Sequence, residues 1–216
     1  MTEQSTAQKR GIKITVTLLV LFILLVLAGF LNKMLTPRQM SNIEMQLNGL
    51  IVFDQPRRFA DIALIDQSNQ VFDRARLQGK WSLVFFGFTH CPDICPTTLA
   101  ELNGWYGSLD PEWQARTQVI LVTVDPARDT PEILNQYVPY FNPDFIGVTG
   151  EFLQIKRFAN QLNVAFNKVM QGDSYTMDHS AHIALINPMG DYHGFFKPPF
   201  DPQKMTATYK SVVTHF

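Results

Sequence analysis

Cysteine is scarce in this sequence. Two among 216 residues exclude a disulfide-rich scaffold, and no Cys/His cluster stands at zinc spacing. No charge of one sign predominates either: 18 Lys and Arg face 19 Asp and Glu, for a formal net charge of −1. So even a balance leaves no basic footprint for nucleic acid, and that class of partner is excluded. There is no internal repeat and no low-complexity segment. The length fits one globular domain with additions.

Long apolar runs are few, and the first defines the N-terminus. Ile14 to Leu31 carries no charged residue and is mostly Leu, Val, Ile and Phe. At about 1.5 Å per residue it approaches the hydrocarbon thickness of a bilayer, and it is read as a transmembrane helix. A cleaved signal peptide would share the basic start at Lys9, Arg10 and Lys13. The run is longer than a signal core, however, and Leu27-Ala28-Gly29-Phe30-Leu31 has no small-x-small cleavage site. The three basic residues outweigh Lys33 and Arg38 beyond the span, so the positive-inside rule puts the N-terminus in the cytoplasm. The expected layout is a cytoplasmic segment (1–13), one anchor (14–31), a polar connector (32–50) and a C-terminal domain (51–216). In a bacterium this is a single-pass inner-membrane protein whose domain faces the oxidising periplasm.

The second run leads into the two cysteines. Trp81 to Phe88 reads as a strand buried on both faces, and the segment from Pro96 to about Leu109 as a helix. Cys91 and Cys95 are then expected in a strand-to-helix loop at the carboxyl end of a central strand, where open α/β sheets bind ligands. Free amides in the first helical turn stabilise a nearby thiolate. A further strand, Gln118 to Val124, completes a βαβ unit with parallel strands and brings Asp125 and Asp129 beside the cysteine loop. Thr130-Pro131-Glu132 opens another helix. Phe145–Thr149, Val164–Val169, Ile183–Asn187 and Tyr192–Phe196 read as strands, and Gln171 to Ala181 as a polar loop. Phe152, Ile155, Phe158, Ala159 and Leu162 form a helical core stripe. Ahead of the core, Ile51–Phe53, Ala60–Ile65 and the turn at Asp66 to Gln70 point to a small hairpin. The fold class is α/β, a central mixed sheet flanked by helices.

Two chemistries fit a Cys-x-x-x-Cys pair in this setting. Two thiolates select a soft ion such as Cu(I), with an imidazole to complete a three-coordinate site. Alternatively the pair shuttles a disulfide, one thiol attacking and the other resolving. Of five histidines, His90 leaves the strand at the alternate position, His182 and His193 sit in or beside apolar strands, and His215 lies at the end of the chain. His179 stands out because Asp178 and Ser180 flank it as orienting partners just before a strand. Asp93 is read as a loop cap. Met170, Met177, Met189 and Met205 are too dispersed for a methionine box and are read as core filler.

Three separated motifs occur in order: Phe86-Gly87-Phe88-Thr89-His90-Cys91-Pro92-Asp93-Ile94-Cys95-Pro96, then Val124-Asp125-Pro126-Ala127-Arg128-Asp129-Thr130-Pro131, then Asp178-His179-Ser180 with Asn187-Pro188-Met189-Gly190. Together they resemble the Sco/SenC family over roughly Phe59 to Phe196. The sequence departs from the usual pattern at Pro56-Arg57-Arg58-Phe59 and at Asn187. The resemblance implies a thioredoxin-like fold and a copper site, for Cu(I) or Cu(II), made by Cys91, Cys95 and His179. It also implies copper delivery to the CuA-bearing subunit of cytochrome c oxidase during assembly, or reduction of that subunit's thiols. Other periplasmic copper chaperones and thiol reductants are further expected partners. On this reading the chain is a binding and transfer protein rather than a turnover enzyme. A thiol:disulfide oxidoreductase would need both cysteines but not His179. A peroxiredoxin-like site would place a Thr three positions before the cysteine, whereas Thr89 is two before Cys91.

Overall fold

The computed structural model describes residues 6–35 and 39–216, and the chain divides into two compact units. One contains the helix α1 (Thr6–Leu35). Its stretch Arg10–Leu31 is long and apolar enough to cross a membrane, and it is the single such helix among the described residues. Of the expected connector, residues 36–38 lie outside the described residues. The rest is not featureless: Asn42–Leu47 is a short helix, α2, closed by a capping box in which Ser41 Oγ accepts from Glu44 N and Glu44 reaches back to Ser41 N.

The second unit is built on one mixed sheet. Its strands in chain order are β1 (Leu50–Arg57), β2 (Leu64–Asp66), β3 (Val71–Phe72), β4 (Trp81–Gly87), β5 (Thr117–Thr123) and β6 (Ile146–Thr149), followed after a separate hairpin by β9 (Ile183–Ile186) and β10 (Tyr192–Phe196). They lie side by side as β1-β10-β9-β4-β5-β6-β2-β3. The centre is β4, seven residues buried on both faces, with β5 parallel on one side and β9 antiparallel on the other. Each fully buried Leu, Val or Phe contributes about 1.5–3 kcal/mol.

Helices α3 (Ile94–Gly107), α4 (Pro111–Ala115), α5 (Pro131–Phe141), α6 (Phe152–Gln161) and α7 (Pro202–Thr214) complete the unit's order. Helix α5 begins as the residues dictate, with Thr130 Oγ1 accepting from Ile133 N and Pro131 in the first turn. In α6, Ile155, Phe158 and Ala159 are buried as the stripe predicts, whereas Phe152 is half exposed.

Two local expectations need correction. The 51–53 segment is part of a longer strand that continues through Gln55 and Pro56 and pairs antiparallel with β10, while the hairpin at Asp66–Gln70 is made by β2 with β3. Pro56 is tolerated because β1 is an edge strand whose register shifts between Val52 and Arg57. The 171–181 segment is mostly strand: β7 (Phe166–Gln171) and β8 (Ser174–His179) form a two-stranded antiparallel sheet of their own. Its exposed side chains gave the segment a loop-like composition, and Gly172 takes the left-handed conformation at the turn.

His193, on β10, is buried with its ring edge-on to Trp81 at 5.0 Å, and burial pushes its pKa down from 6.5 to about 4. Between those values the unfolded chain binds a proton that the folded chain does not. Stability contributed by the neutral ring is therefore present above 6.5 and lost as the pH falls toward 4, by about 3 kcal/mol at most. His193→Phe is expected to flatten this part of the profile in urea unfolding between pH 4 and 7. An unchanged slope contradicts the assignment.

Candidate functional site

The parallel pairing of β4 and β5, in register from Trp81↔Thr117 to Gly87↔Thr123, brings the loops after both strands to the same edge. The first carries the cysteines. Phe88 is buried, Cys91 N donates to Phe88 O at 3.3 Å, and the chain enters α3 at Ile94. Cys95 thus sits in the first turn of the helix rather than in the loop, and Pro96 follows it within that turn. Cys91 is partly exposed and Cys95 fully buried, and both are free thiols.

The second loop holds the first in place. Asp129 is completely buried and accepts from Thr89 N at 3.0 Å, Thr89 Oγ1 at 2.6 Å and Thr123 Oγ1 at 2.6 Å. A buried carboxylate so satisfied ties the start of the cysteine loop to the end of β5. Asp125 is braced by an ion pair with Arg128.

His179 closes the set. As the last residue of β8 it extends Nε2 to within 3.4 Å of Cys95 Sγ, while Nδ1 faces Ser180 O at 3.1 Å. Phe85 and Phe88 stand edge-on to its ring at 5.9 and 6.1 Å. Cys95 N in turn donates to Cys91 Sγ at 3.4 Å. The three predicted side chains therefore meet through Cys95. A cavity of about 240 Å³ opens onto Cys91, Asp93 and His179.

Burial sets the protonation of the two inner members. Burial pushes the Cys95 thiol well above its ordinary value, with the neighbouring Cys91 adding to the rise. Burial also lowers the His179 pKa, against smaller opposing effects of Ser180 O and Asp178. A protonated thiol thus faces a neutral imidazole near neutral pH. Among the described residues no three His, Cys, Asp or Glu side chains are gathered tightly enough to count as a formed metal centre. The donor types are nonetheless those a soft ion selects: two sulfurs and one imidazole nitrogen.

The remaining sequence candidates separate clearly. His182 Nε2 faces Leu162 O at 3.2 Å, and His193 packs in the core. His90 is exposed, with Nδ1 3.0 Å from Thr89 Oγ1, and turns to Thr89 and Asp129 rather than the thiols. Asp93 occupies the N-cap position of α3, but its side chain makes no capping bond, contrary to the loop-cap reading. Met177 and Met205 are buried; Met170 and Met189 are exposed. Sequence reasoning assigns no role to Gly87, the second residue of the cysteine motif. A Cβ there would lie 3.0 Å from Cys95 Sγ and 2.9 Å from the Phe85 ring.

Comparison with known proteins gives matches over most of the chain. Residues 55–214 match the family model described as SCO1/SenC. A Stutzerimonas stutzeri protein, named as a copper-binding candidate, is 38% identical over 151 residues, covering 69% of this chain and 74% of its own. The mitochondrial protein SCO2 of Saccharomyces cerevisiae is 35% identical over 159 residues, but these span only 53% of its length against 69% of this chain. The copper-bound crystal structure of Arabidopsis thaliana ScoI superposes with a TM-score of 0.69 at 31% identity, covering 73% of this chain and 98% of that one.

Gly87→Ala is expected to force Cys95 Sγ, Phe85 or the backbone to move and to destabilise the protein by about 1–3 kcal/mol. The same substitution should alter the His179 ring signals in NMR spectra of the metal-free protein. Unchanged stability and unchanged ring signals would show that the pocket behind Cys95 has room to spare.

Proposed function

The chain belongs to the SCO1/SenC family, and from that premise we propose that it is a membrane-anchored copper chaperone. Cys91, Cys95 and His179 hold the ion, and the target is the CuA site of cytochrome c oxidase during assembly. The observation that carries the proposal is the 3.4 Å approach of Cys95 Sγ to His179 Nε2 from elements 84 residues apart in sequence. Two sulfurs four positions apart have many uses. An imidazole delivered to one of them from a separate hairpin has a specific use as a third soft-metal ligand.

Copper is cargo in this scheme. The partly exposed Cys91 meets it first at the cavity mouth, and His179 and the buried Cys95 complete the set. Burial of Cys95 keeps its proton on until the metal displaces it, so loading releases protons. The apolar stretch Arg10–Leu31 serves as the anchor, with the N-terminus cytoplasmic and the domain periplasmic. The fit of the donor set to Cu(I), together with the copper-bound relative, supports the choice of ion.

A linked second activity is favoured by the nearness of the two thiols, with Cys95 N donating to Cys91 Sγ at 3.4 Å. The Cys91 thiolate attacks a partner's disulfide and releases one partner thiolate. Cys95 then attacks Cys91 Sγ, its proton passing to the departing partner sulfur, and leaves a Cys91–Cys95 disulfide. Two electrons pass to the partner, whose two sulfurs end as thiols. His179 has no part in this exchange.

The discriminating experiment is Cu(I) competition titration of the reduced protein alongside a thiol-exchange assay. His179→Ala is expected to lose at least tenfold in Cu(I) affinity and to retain exchange. Copper binding like the parent's would sink the three-ligand site. In the parent, log affinity should rise by about one or more per pH unit between pH 6 and 8, because the raised Cys95 pKa makes proton displacement obligatory throughout that window. A flat profile would mean that Cys95 is not a ligand.

A further inference from the structure

The hairpin that carries His179 lies outside the main sheet: among the described residues β7 pairs only with β8. Its base is closed by Ser180 N donating to Ala165 O at 2.9 Å and Ala165 N to Ser180 Oγ at 3.2 Å, bonds that tie the two strands to each other. From His179 the chain passes directly through Ser180–His182 into β9, so the hairpin is hinged at the His179 end. Something else must set its tilt.

Tyr175, Met177 and His179 alternate along β8 and share a face, and this face is the less exposed one. At its far end Tyr175 OH donates to Asp125 Oδ1 at 2.9 Å. Arg128 pairs with the other oxygen of Asp125, donates Nη1–H to Tyr175 O at 3.2 Å and stacks over the Tyr175 ring at 3.9 Å. The anchoring side is itself rigid. Asp125 N donates to Thr123 Oγ1 at 2.9 Å, and Asp129 N donates to Asp125 O at 3.0 Å. Asp129 is the residue that grips Thr89 beside the cysteines.

We propose that Tyr175 is a positioning residue for His179, its hydroxyl latching the hairpin to Asp125 and so holding the imidazole over Cys95. The contacts form a closed circuit: cysteine loop, Thr89, Asp129, Asp125, Tyr175, β8, His179 and back to Cys95. Tyr175 and His179 are four residues apart, about 13 Å along an extended strand. A latch at one end of such an arm governs where the other end falls. The copper consequence rests on the chaperone reading; the effect on the hairpin does not.

The test is Tyr175→Phe in the full-length reduced protein in detergent, which keeps the ring and its stacking and removes only the hydroxyl. In the metal-free protein, hydrogen–deuterium exchange of peptides covering residues 166–179 is expected to speed up several-fold while the central strands are unchanged. Acceleration throughout the domain, or none, overturns the latch. Cu(I) titration should show about tenfold weaker binding for Tyr175→Phe, the size expected for one hydrogen bond to a charged group. In a His179→Ala background the same substitution should cost nothing more. An equal loss in both backgrounds, or no loss in either, overturns the positioning role. If the parent itself takes no Cu(I), the chaperone reading falls and the exchange data alone decide the latch.

Discussion

Everything at the site depends on β4 and β5 running parallel and in register. Because both strands end at the same edge, the loops that follow them are forced into contact. The buried Asp129 carboxylate turns that contact into a fixed geometry by accepting three hydrogen bonds, two from Thr89 and one from Thr123. Such a group is costly to leave unpaired and strongly directional when paired. The cysteine loop therefore starts from a defined point. Helix α3 then fixes Cys95 against Gly87, where even a methyl group would crowd the sulfur.

The proposed third donor reaches the site by a different route. His179 comes from a hairpin that shares no ladder with the main sheet, so its approach to Cys95 is set by side-chain contacts and the short link to β9. The same surroundings that hold the ring also keep it neutral, since burial disfavours the imidazolium. Burial disfavours the Cys95 thiolate in the same way. A soft cation offers this pair what solvent cannot, a partner for the sulfur that replaces its proton. In the proposed chaperone, metal loading, proton release and the resting thiol state are tied to one buried contact.

Much of this was legible in the residues. The mostly apolar β4, the parallel unit it forms with β5, the Thr130-Pro131 helix start and the nearness of Asp125 and Asp129 follow from period, composition and the handedness of βαβ crossovers. His179 stood out through its flanking residues, and the motif resemblance singled it out. What could not be read was set by tertiary pairing. Nothing local in Leu50–Arg57 says that it joins β10, and Pro56 argued against a strand that only an edge position permits. Residues 172–179, the turn and second strand of the β7–β8 hairpin, looked like a loop because they are mostly polar. Two signals were present but unread. Ser41 and Glu44 stand at capping-box spacing, and Tyr175, Met177 and His179 alternate at strand period.

The proposed site has two sulfurs and one imidazole holding a single copper ion. Copper K-edge X-ray absorption of the reduced, Cu(I)-loaded protein measures this most directly. The prediction is a first shell of two sulfur scatterers and one nitrogen, with the outer-shell pattern of an imidazole ring. A shell of sulfur alone, with no imidazole signature, would contradict it.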